Sequence, residues 1–404
     1  MKILFVAEYY PPQVRGGGEI NLAQTAQALA ERHEVAVLTS FFGGRPREEV
    51  IRGVQVLRKL STGKNTATLW GNLKRRFLFP KSVEKEVQKL MKEFDPDLLH
   101  FIGTSIIAAP KLRKLGKKMF ATIESYPALC PKGNRLFKGR QECTLQCNFK
   151  HFVFCQKESD EIGKMKNRWY LKYNPLFLWL TFRYFQKLNR GLAACHLIAI
   201  SGYVGKILQQ YGHASTIIPN TFDATPFQKG AAKKVAARVN TKPLLLYAGA
   251  LIKSKGPQIL LEALRGLDCR AELYSEGILK EELQAYIQKH NLDAEIFSPL
   301  PYQQVPEMYA GADIVVFPSL WPEPFGRIPL EAIAADKPII ASNIGAIPEI
   351  VGNSGILIEP GDAAALRQAL RNLLQHPLKK SKVLLTEYKP ETIVSKLEQT
   401  YGQD

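Results

Sequence analysis

The sequence predicts an α/β protein built from two doubly wound, Rossmann-like halves. Short apolar runs alternate with helical patterns along the chain, as in KILFVA at 2–7 and LLLYAGA at 244–250. Strands that are apolar on both faces and separated by helices are typical of parallel sheets covered on both sides. A chain of 404 residues has room for two such domains.

The strand patterns also indicate where the domains meet. They lie at residues 2–7, 34–39, 54–60, 97–103, 119–125 and 197–201, and again at 244–250, 271–277, 294–300, 314–319, 338–342 and 355–360. Small and basic residues interrupt the alternation between 217 and 243, so we expect the seam there. We predict an N-terminal domain at 1–218, a C-terminal domain at 219–385 and a final helix at 386–404 that packs back on the first domain.

The predicted architecture places the binding site between the domains. Ligands of open α/β sheets bind beyond the carboxyl ends of the strands. Two such domains that face each other therefore form a cleft between those ends. We expect the functional side chains in the loops that follow the strands.

The composition favours an anionic partner. The chain has 55 Lys and Arg against 37 Asp and Glu, a formal net charge of +18. This excess suits a phosphorylated ligand or an anionic membrane, whereas nucleic acid is not expected because no base-reading motif accompanies the scattered basic residues. No apolar run resembles a signal peptide or reaches the roughly 18 residues of a spanning helix. We expect a cytoplasmic protein that can rest on the inner face of a membrane.

A glycine-rich turn follows the first strand pattern. Gly16, Gly17 and Gly18 precede a helix that is expected to start near Glu19. Glycine lets the backbone approach a ligand closely, and the free N–H groups of a helix start attract an anion. The turn is therefore a candidate ligand-binding element, with a flexible loop as the alternative. It does not match the G-x-G-x-x-G fingerprint of dinucleotide binding.

A lysine-containing turn follows the strand pattern at 244–250. Lys253 and Lys255 precede a helix that begins after Gly256. A lysine at this position adds a point charge to the anion preference of the helix start. We interpret the turn as a clamp for a diphosphate, with an exposed lysine pair that binds no ligand as the alternative.

Two glutamates flank a Pro-Phe-Gly turn in SLWPEPFGRIPLE, residues 319–331. Glu323 falls in the loop after a strand pattern, and Glu331 lies about a turn and a half into the next helix. Gly326 would let a phosphate approach the free N–H groups of that helix. Carboxylate oxygens accept hydrogen bonds from hydroxyl groups, so the pair suits a ligand rich in hydroxyls. Taken singly, each glutamate could be an ordinary charge on a helix surface or at its start.

These motifs resemble the GT-B glycosyltransferases of family 4. The most specific part is the Glu323-x7-Glu331 pair with Pro-Phe-Gly after its first member, and GGGE at 16–19 and KG at 255–256 precede it in the same order. Further similar segments lie at 97–103, 217–220, 276–283 and 344–351. The resemblance implies two facing Rossmann-like domains and a nucleoside diphosphate sugar bound mostly by the second. It also implies transfer with retention of configuration, without a metal ion or other cofactor.

The resemblance implies roles for individual residues. Glu323 would contact the hydroxyls of the donor sugar near the reacting carbon, and Glu331 would hold the ribose hydroxyls. Lys255 would stabilise the leaving diphosphate, on which negative charge grows as the glycosidic bond breaks. The other candidate donor-binding residues are Gly16, Gly17, Gly18, Lys253, Phe325, Gly326, Arg327 and Asn220.

One departure from the family pattern concerns the diphosphate. Ala250 follows Gly249 where family members commonly have an arginine that partners the lysine. Lys253 and Arg327 are the candidates to replace that arginine beside Lys255.

A second departure concerns the donor sugar. Glu124 and Ser125 close the strand pattern at 119–125, and Glu124 stands where the family usually has a histidine that reaches this sugar. A carboxylate changes both the charge and the reach of the side chain. Glu124 is therefore a candidate catalytic residue, with a solvated residue at the end of a strand as the alternative.

Four cysteines lie close together in the N-terminal half. Cys130, Cys143, Cys147 and Cys155 have the spacing C-x12-C-x3-C-x7-C, which is looser than that of a paired C-x2-C zinc site. Free thiols, the ligands of a structural zinc ion and a local disulfide remain as alternatives. The resemblance favours an ordered acceptor-side insertion at about 126–160.

Two basic and aromatic segments lie in the N-terminal half. They are RWYLKYNPLFLWLTFRYFQKLNRG at 168–191 and NLKRRFLFPK at 72–81. Such amphipathic segments can rest on an anionic bilayer, where a lipid-linked acceptor would be found. A buried core helix with basic flanks explains the aromatic residues equally well.

Together the features predict a retaining, metal-independent glycosyltransferase. It would move a sugar from a nucleoside diphosphate sugar to a glycan or lipid-linked acceptor in polysaccharide or glycoconjugate biosynthesis. One alternative is another GT-B activity, such as a sugar-phosphate synthase or an epimerase. The other is an inactive nucleotide-sugar-binding protein, because the family arginine and histidine are absent.

Overall fold

The computed structural model of the protein describes residues 1–14, 16–62, 68–138, 141–158, 169–232, 242–376 and 385–402. Two main β-sheets organise them, one of eight strands and one of six. Successive residues of the first strand alternate between two buried clusters, with Leu4 and Val6 in one and Ile3 and Phe5 in the other. The sheet is therefore covered on both faces, as the apolar strand patterns predict.

The N-terminal sheet is parallel except at one edge. The strands of this half are β1 (Lys2–Val6), β2 (Glu34–Ser40), β3 (Glu48–Ile51), β4 (Val54–Leu60), β5 (Leu98–Ile102), β6 (Lys118–Ile123), β7 (Leu136–Phe137), β8 (Gln141–Glu142), β9 (His196–Ala199) and β10 (Ser215–Ile217). The sheet has the order β10-β9-β6-β5-β1-β2-β4-β3, and β7 and β8 form a separate hairpin. β3 pairs antiparallel with β4. The sequence patterns missed β3 because it is short, charged and at the edge of the sheet.

Helices connect the strands of the N-terminal half. They are α1 (Gly17–Ala30), α2 (Leu69–Glu93), α3 (Ala109–Leu112), α4 (Phe149–Lys157), α5 (Pro175–Leu192) and α6 (Gly202–Gln210). Four of them, α2, α4, α5 and α6, begin after a residue whose side chain caps the helix. The Asn174 side chain accepts a hydrogen bond from the Phe177 N–H before α5, and Ser201 accepts one from the Val204 N–H before α6. Such caps satisfy N–H groups that have no partner within the helix.

The C-terminal half has a fully parallel sheet. Its strands are β11 (Leu244–Tyr247), β12 (Arg270–Tyr274), β13 (Ala294–Phe297), β14 (Ile314–Phe317), β15 (Ile339–Ser342) and β16 (Gly355–Ile358). The strand order is β13-β12-β11-β14-β15-β16. The helices that follow α6 are α7 (Thr225–Ala232), α8 (Pro257–Ala263), α9 (Lys280–Lys289), α10 (Val305–Gly311), α11 (Arg327–Ala334), α12 (Ile347–Val351), α13 (Ala363–Gln375) and α14 (Pro390–Tyr401).

Each sheet reverses its direction of growth beside its first strand. In the N-terminal sheet β1 lies between β2 and β5, and in the C-terminal sheet β11 lies between β12 and β14. The carboxyl ends of such a strand pair open a crevice, the usual binding position of this architecture. In the C-terminal half, the loops at this crevice are 248–256 and 318–326.

The last helix, α14, packs on the N-terminal half. Tyr401 Oη lies 2.6 Å from His100 Nδ1 in β5, and Glu398 Oε1 lies 2.7 Å from His33 Nε2. The α14 side chains buried against β1 and α1 are Ile393, Val394, Leu397 and Tyr401. Burying a large apolar side chain stabilises a protein by roughly 1.5–3 kcal/mol. The N-terminal fold therefore depends on a helix that follows the second domain in the chain.

Some of the predicted domain boundaries fall on residues that the structure does not describe. The seam predicted at 217–243 includes residues 233–241, and the boundary predicted at 385 follows residues 377–384, none of which the structure describes. The same is true of residues 139, 140, 159 and 160 of the insertion predicted at about 126–160. Among the helices of the described ranges, none combines the length and apolar character needed to span a bilayer.

Candidate active site

Lys255 and Glu323 meet at the crevice of the C-terminal sheet. Their loops follow the neighbouring parallel strands β11 and β14, so both loops emerge at the same edge. Lys255 Nζ lies 2.5 Å from Glu323 Oε1. The Ser319 hydroxyl donates to the same oxygen at 3.1 Å, and the Lys255 ammonium lies 4.2 Å from the centre of the Trp321 ring. The result is a half-buried cation fixed beside a buried carboxylate.

The backbone around Glu323 is tightly constrained. Prolines 322 and 324 fix their own φ angles and restrict the residue before each of them. The carbonyl of Glu323 accepts a hydrogen bond from the Ala346 N–H at 2.8 Å. Gly345 has φ +63°, and a Cβ there would lie 2.5 Å from the Glu323 backbone nitrogen. Only glycine suits that conformation and that close approach.

Glu331 lies in α11 and is buried. Its Oε2 accepts a hydrogen bond from the Tyr309 hydroxyl at 2.9 Å, and its Oε1 accepts one from Arg327 Nε at 3.1 Å. Burial raises the pKa of Glu331, and the Arg327 guanidinium opposes that rise. Each carboxylate oxygen has two lone pairs, so the oxygens can still accept a ligand hydroxyl.

The glycine turn faces α11 across the cleft. α1 begins at Gly17, two residues before the start expected near Glu19, and Gly16 is its extended cap residue. The reason is that the Glu19 side chain accepts a hydrogen bond from the Gly16 N–H at 2.9 Å, which makes Glu19 the third residue of the helix. A Cβ on Gly17 would lie 3.4 Å from Arg327 Cδ. The starts of α1 and α11 therefore come together.

Glu124 lies beside the first turn of α1. A Cβ on Gly18 would lie 2.6 Å from Glu124 Oε2, and Asn21 Nδ2 donates to Glu124 Oε1 at 3.0 Å. Asn21 Oδ1 in turn accepts from the Thr221 N–H at 2.7 Å. Burial raises the pKa of Glu124 to about 7. The residue is thus half-buried and hydrogen-bonded, not the solvated strand end that was the alternative.

The side chains of three predicted donor-binding residues do not contact the Lys255–Glu323 pair. Lys253 is exposed, and within the described part of the chain its side chain joins none of the hydrogen bonds or ion pairs described above. The Phe325 ring is buried and packs edge-on against Tyr388 at 5.9 Å, so only its backbone can meet a ligand. Asn220 lines a small cavity of about 20 Å³ between the N-terminal sheet, α1 and α14. The structure does not bring Asn220 to the Lys255–Glu323 pair.

The N-terminal sheet carries a second buried ion pair at its own crevice. Glu8 follows β1 and is paired through both carboxylate oxygens with Arg75 of α2. The Thr62 and Thr104 hydroxyls also donate to it, at 2.5 and 3.0 Å. Burial alone would raise the pKa of Glu8, but these partners outweigh it and hold the pKa below its usual range. Sequence reasoning missed this group, because nothing in the pattern links Glu8 to Arg75.

The cleft is also bridged by buried hydrogen bonds that the sequence did not reveal. Tyr126 Oη donates to the Pro322 carbonyl at 2.6 Å, and Ser201 Oγ donates to the Pro324 carbonyl at 2.7 Å. Trp321 Nε1 donates to the Asn134 carbonyl at 2.7 Å. The N-terminal half therefore holds the loop that carries Glu323.

The four clustered cysteines line one cavity of about 20 Å³ in the N-terminal half. Cys130, Cys143, Cys147 and Cys155 are all free. Burial raises the pKa of Cys143, and it raises the pKa of Cys147 to about 12. In the described ranges no group of three or more His, Cys, Asp or Glu side chains is arranged to hold a metal ion.

Comparison with known families decides the assignment. The model described as Glycosyltransferase Family 4 matches residues 15–225, more than half of the chain. The chain belongs to glycosyltransferase family 4. A second model, Glycosyl transferases group 1, matches residues 228–391 of this family 4 chain. The family inferred from the motifs is confirmed.

Individual relatives match parts of the family 4 chain. A stretch of 174 residues is 33% identical to the glycogen synthase of Mycobacterium tuberculosis and covers 40% of this chain and 40% of that protein. In the curated relatives that the chain matches, the matched stretch spans about two fifths of the relative's own length. Their similarity therefore extends over only part of the fold.

Solved structures share the whole fold. The sucrose-phosphate synthase of Thermosynechococcus elongatus superposes with a TM-score of 0.73 at 18% identity, over 99% of this chain and 98% of that one. Anabaena HepE in complex with UDP-glucose superposes with a TM-score of 0.65 at 19% identity, over 99% of each chain. At this identity the likeness concerns the fold, and it confirms the predicted GT-B architecture.

Proposed function

We propose that the protein is a retaining, metal-independent glycosyltransferase. It moves a sugar from a nucleoside diphosphate sugar to a hydroxyl of a glycan or lipid-linked acceptor. The observation that carries the proposal is the Lys255–Glu323 pair, which lies at the crevice of the C-terminal sheet. UDP-glucose bound to HepE, a protein of the same fold, supports a nucleotide sugar as the donor.

The pair suggests how the donor reacts. The Lys255 ammonium and the free N–H groups at the start of α11 would bind the diphosphate, while Glu323 accepts hydrogen bonds from the sugar hydroxyls. The bond between the anomeric carbon and the phosphate oxygen breaks, and negative charge grows on the diphosphate. Lys255 stabilises that charge most in the transition state. The acceptor oxygen bonds to the anomeric carbon, and its proton passes to the departing phosphate oxygen.

We further propose that Arg327, not Lys253, takes the place of the missing family arginine. Arg327 opens α11 and lies against Gly17 across the cleft, whereas Lys253 is exposed. The Arg327 Nη2 donates to the Tyr302 hydroxyl at 2.5 Å, and the Arg327 Nε donates to Glu331. A guanidinium held in this way can still direct its remaining N–H groups to a phosphate.

Glu124 gives the proposed reaction a pH dependence. Because burial raises the pKa of its carboxyl from 4.5 to about 7, the group is neutral below that pH and can then donate a hydrogen bond to the donor sugar. We expect kcat/KM to fall as the pH rises through about 7. Glu124→Gln keeps a donor that does not ionise, so its profile should be flat in that range. The same decline in the Glu124→Gln variant would contradict this role.

The acceptor side of the proposal includes a membrane surface on α2 and α5. The two helices touch where Arg76 Nη1 donates to Thr181 Oγ1 at 3.0 Å. Large apolar side chains that they expose are Trp70, Phe77, Leu78, Leu176 and Trp179. Such side chains among basic residues suit an anionic bilayer. The buried-core alternative applies to Phe182 and Phe185, which pack with α4, but not to the exposed group. The side chains of residues 168 and 169 lie outside the description.

Sedimentation with vesicles tests the membrane surface. We expect the protein to bind vesicles of anionic phosphatidylglycerol and not those of zwitterionic phosphatidylcholine, and to lose about 10-fold or more in affinity when Trp70 and Trp179 are both changed to glutamate. Val50→Glu on the edge strand β3 is the control, since Val50 is also exposed and lies outside α2 and α5. Equal binding by both variants would contradict the assignment.

Nucleotide release tests the proposed activity itself. The purified protein is incubated with UDP-, GDP-, ADP- and TDP-sugars, with and without a lipid extract. Release of one nucleotide that is stimulated by extract supports the transferase. Nucleotide binding without release would favour the inactive binding protein, for which the missing family arginine and the Glu124 substitution are the motivating observations. Release without any acceptor requirement would favour another GT-B activity.

A further inference from the structure

We infer that Tyr126 and Ser201 of the N-terminal half are positioning residues for Glu323 of the C-terminal half. Tyr126 is fully buried and Ser201 is buried, and each donates one short hydrogen bond across the cleft. Their acceptors are the carbonyls of Pro322 and Pro324, one on each side of Glu323 in the chain. The inference rests on the proposed function, in which Glu323 contacts the donor sugar.

The loop transmits this hold to the carboxylate because it is stiff. The two prolines fix φ at their own positions and restrict ψ of the residues before them, which include Glu323. Holding both flanking carbonyls therefore fixes the position of the Glu323 Cα. A displacement of about 1 Å at a reacting group can cost about 100-fold in rate. Loss of the two hydrogen bonds from the other domain is therefore expected to slow the reaction.

The other member of the ion pair is held from the same side. The Trp321 ring, over which the Lys255 ammonium lies, is fixed by the hydrogen bond from its indole N–H to the Asn134 carbonyl. It also packs edge-on against Tyr126 at 5.9 Å between ring centres. Asn134 and Tyr126 both lie within the insertion predicted at about 126–160. The position of the insertion is therefore coupled to both Lys255 and Glu323.

This coupling makes the donor site depend on the closed arrangement of the two domains. If the domains separate, the carbonyls of Pro322 and Pro324 lose both donors, and the loop keeps only its contacts within the C-terminal half, such as the Ala346 N–H on the Glu323 carbonyl. The Lys255–Glu323 pair would then be poorly placed for sugar transfer, although the nucleotide could still bind. Tyr126 and Ser201 should therefore affect turnover more than nucleotide affinity.

The test uses single substitutions that remove the bridging hydroxyls. Tyr126→Phe keeps the ring, and Ser201→Gly removes the hydroxyl while glycine remains an acceptable cap residue for α6. We expect each to lower kcat about 10-fold and the double variant to lower it more, with unchanged affinity for UDP and GDP. Ser201→Thr keeps the hydroxyl and should retain the activity.

A matched tyrosine provides the control. Tyr211 Oη donates to the Leu129 carbonyl at 2.6 Å, a bond of the same kind that stays within the N-terminal half. Tyr211→Phe should leave kcat unchanged. A loss of kcat in Tyr211→Phe equal to that in Tyr126→Phe would overturn the inference, because it would indicate a general weakening of the insertion. Unchanged kcat in the Tyr126→Phe, Ser201→Gly double variant would overturn it as well.

A second measurement does not depend on activity. Amide hydrogen exchange in peptides covering residues 319–331 should be faster in Tyr126→Phe than in Tyr211→Phe, because loosening the loop exposes its N–H groups. Equal exchange in the two variants would overturn the inference even if the protein proved to transfer no sugar. Faster exchange together with full activity of Glu323→Gln would instead count against the proposed function and leave the loop contacts in place.

Discussion

Glu323→Gln is expected to lower kcat by about 100-fold or more, which corresponds to about 2.7 kcal/mol in the transition state. Glutamine keeps the shape of the side chain and removes its charge. The substitution leaves Lys255 without its counter-charge and replaces one carboxylate oxygen by an amide group that cannot accept hydrogen bonds from the sugar hydroxyls. In the proposed arrangement Glu323 contacts the sugar and not the nucleotide, so the affinity for the nucleotide should change by less than about 3-fold.

The second glutamate of the motif is the matched comparison for this experiment. Glu331→Gln should weaken the binding of the free nucleoside diphosphate, because Glu331 is proposed to hold the ribose. The two variants are compared by steady-state kinetics and by titration calorimetry with UDP and GDP. Equal losses of turnover and nucleotide affinity in Glu323→Gln would contradict the proposed contact of Glu323 with the donor sugar. Unchanged nucleotide affinity in Glu331→Gln would contradict the proposed contact of Glu331 with the ribose.

Lys255→Met is expected to have the other large effect, a loss of about 100- to 1,000-fold in kcat. Methionine retains most of the aliphatic stem and removes the charge that would stabilise the leaving diphosphate. The buried Glu323 carboxylate then lacks its cation, and breaking such a pair costs up to about 3–5 kcal/mol in the free energy of unfolding when both partners are fully buried. Lys255 is half-buried, so we expect a smaller but measurable loss in thermal unfolding.

The neighbouring lysine is the control for Lys255. Lys253 lies two residues earlier in the same turn and is exposed. Lys253→Met should change kcat and nucleotide affinity by less than about 3-fold, because an exposed cation contributes little. If both variants lose activity equally, the turn acts as a whole and the assignment of the diphosphate to Lys255 is wrong.

The architecture could be predicted from the sequence because it follows from periodicity. Apolar runs such as 2–7 and 314–319 indicated buried parallel strands, and the structure has strands at both positions. Elements without a strong pattern escaped prediction. The charged edge strand β3 and the short hairpin of β7 and β8 bury little apolar surface, so their sequences carry little signal.

Of the candidate site, the sequence predicted only the residues that lie in local motifs. The sequence placed the Glu323 loop and the Lys255 turn at the carboxyl ends of strands that border the cleft. That these strands are neighbours, which brings the two side chains together, is seen only in the structure. The contacts of Tyr126 with Pro322 and of Glu8 with Arg75 join residues that are 196 and 67 positions apart. No local pattern records such a pairing. Burial, which raises the pKa of Glu124, is likewise a property of the folded molecule.

The return of α14 to the first domain has a mechanical consequence. Glu398 is bonded to His33, beside β2, so both β1 and α14 belong to the N-terminal unit. A load applied between β1 and α14 would pass directly through the contacts of this unit. The C-terminal domain lies between these two elements in the chain and would carry no tension while those contacts hold. In a single-molecule pulling experiment, the first rupture should release α14. The second domain should remain folded until that event, and bound nucleotide should not change the first rupture force.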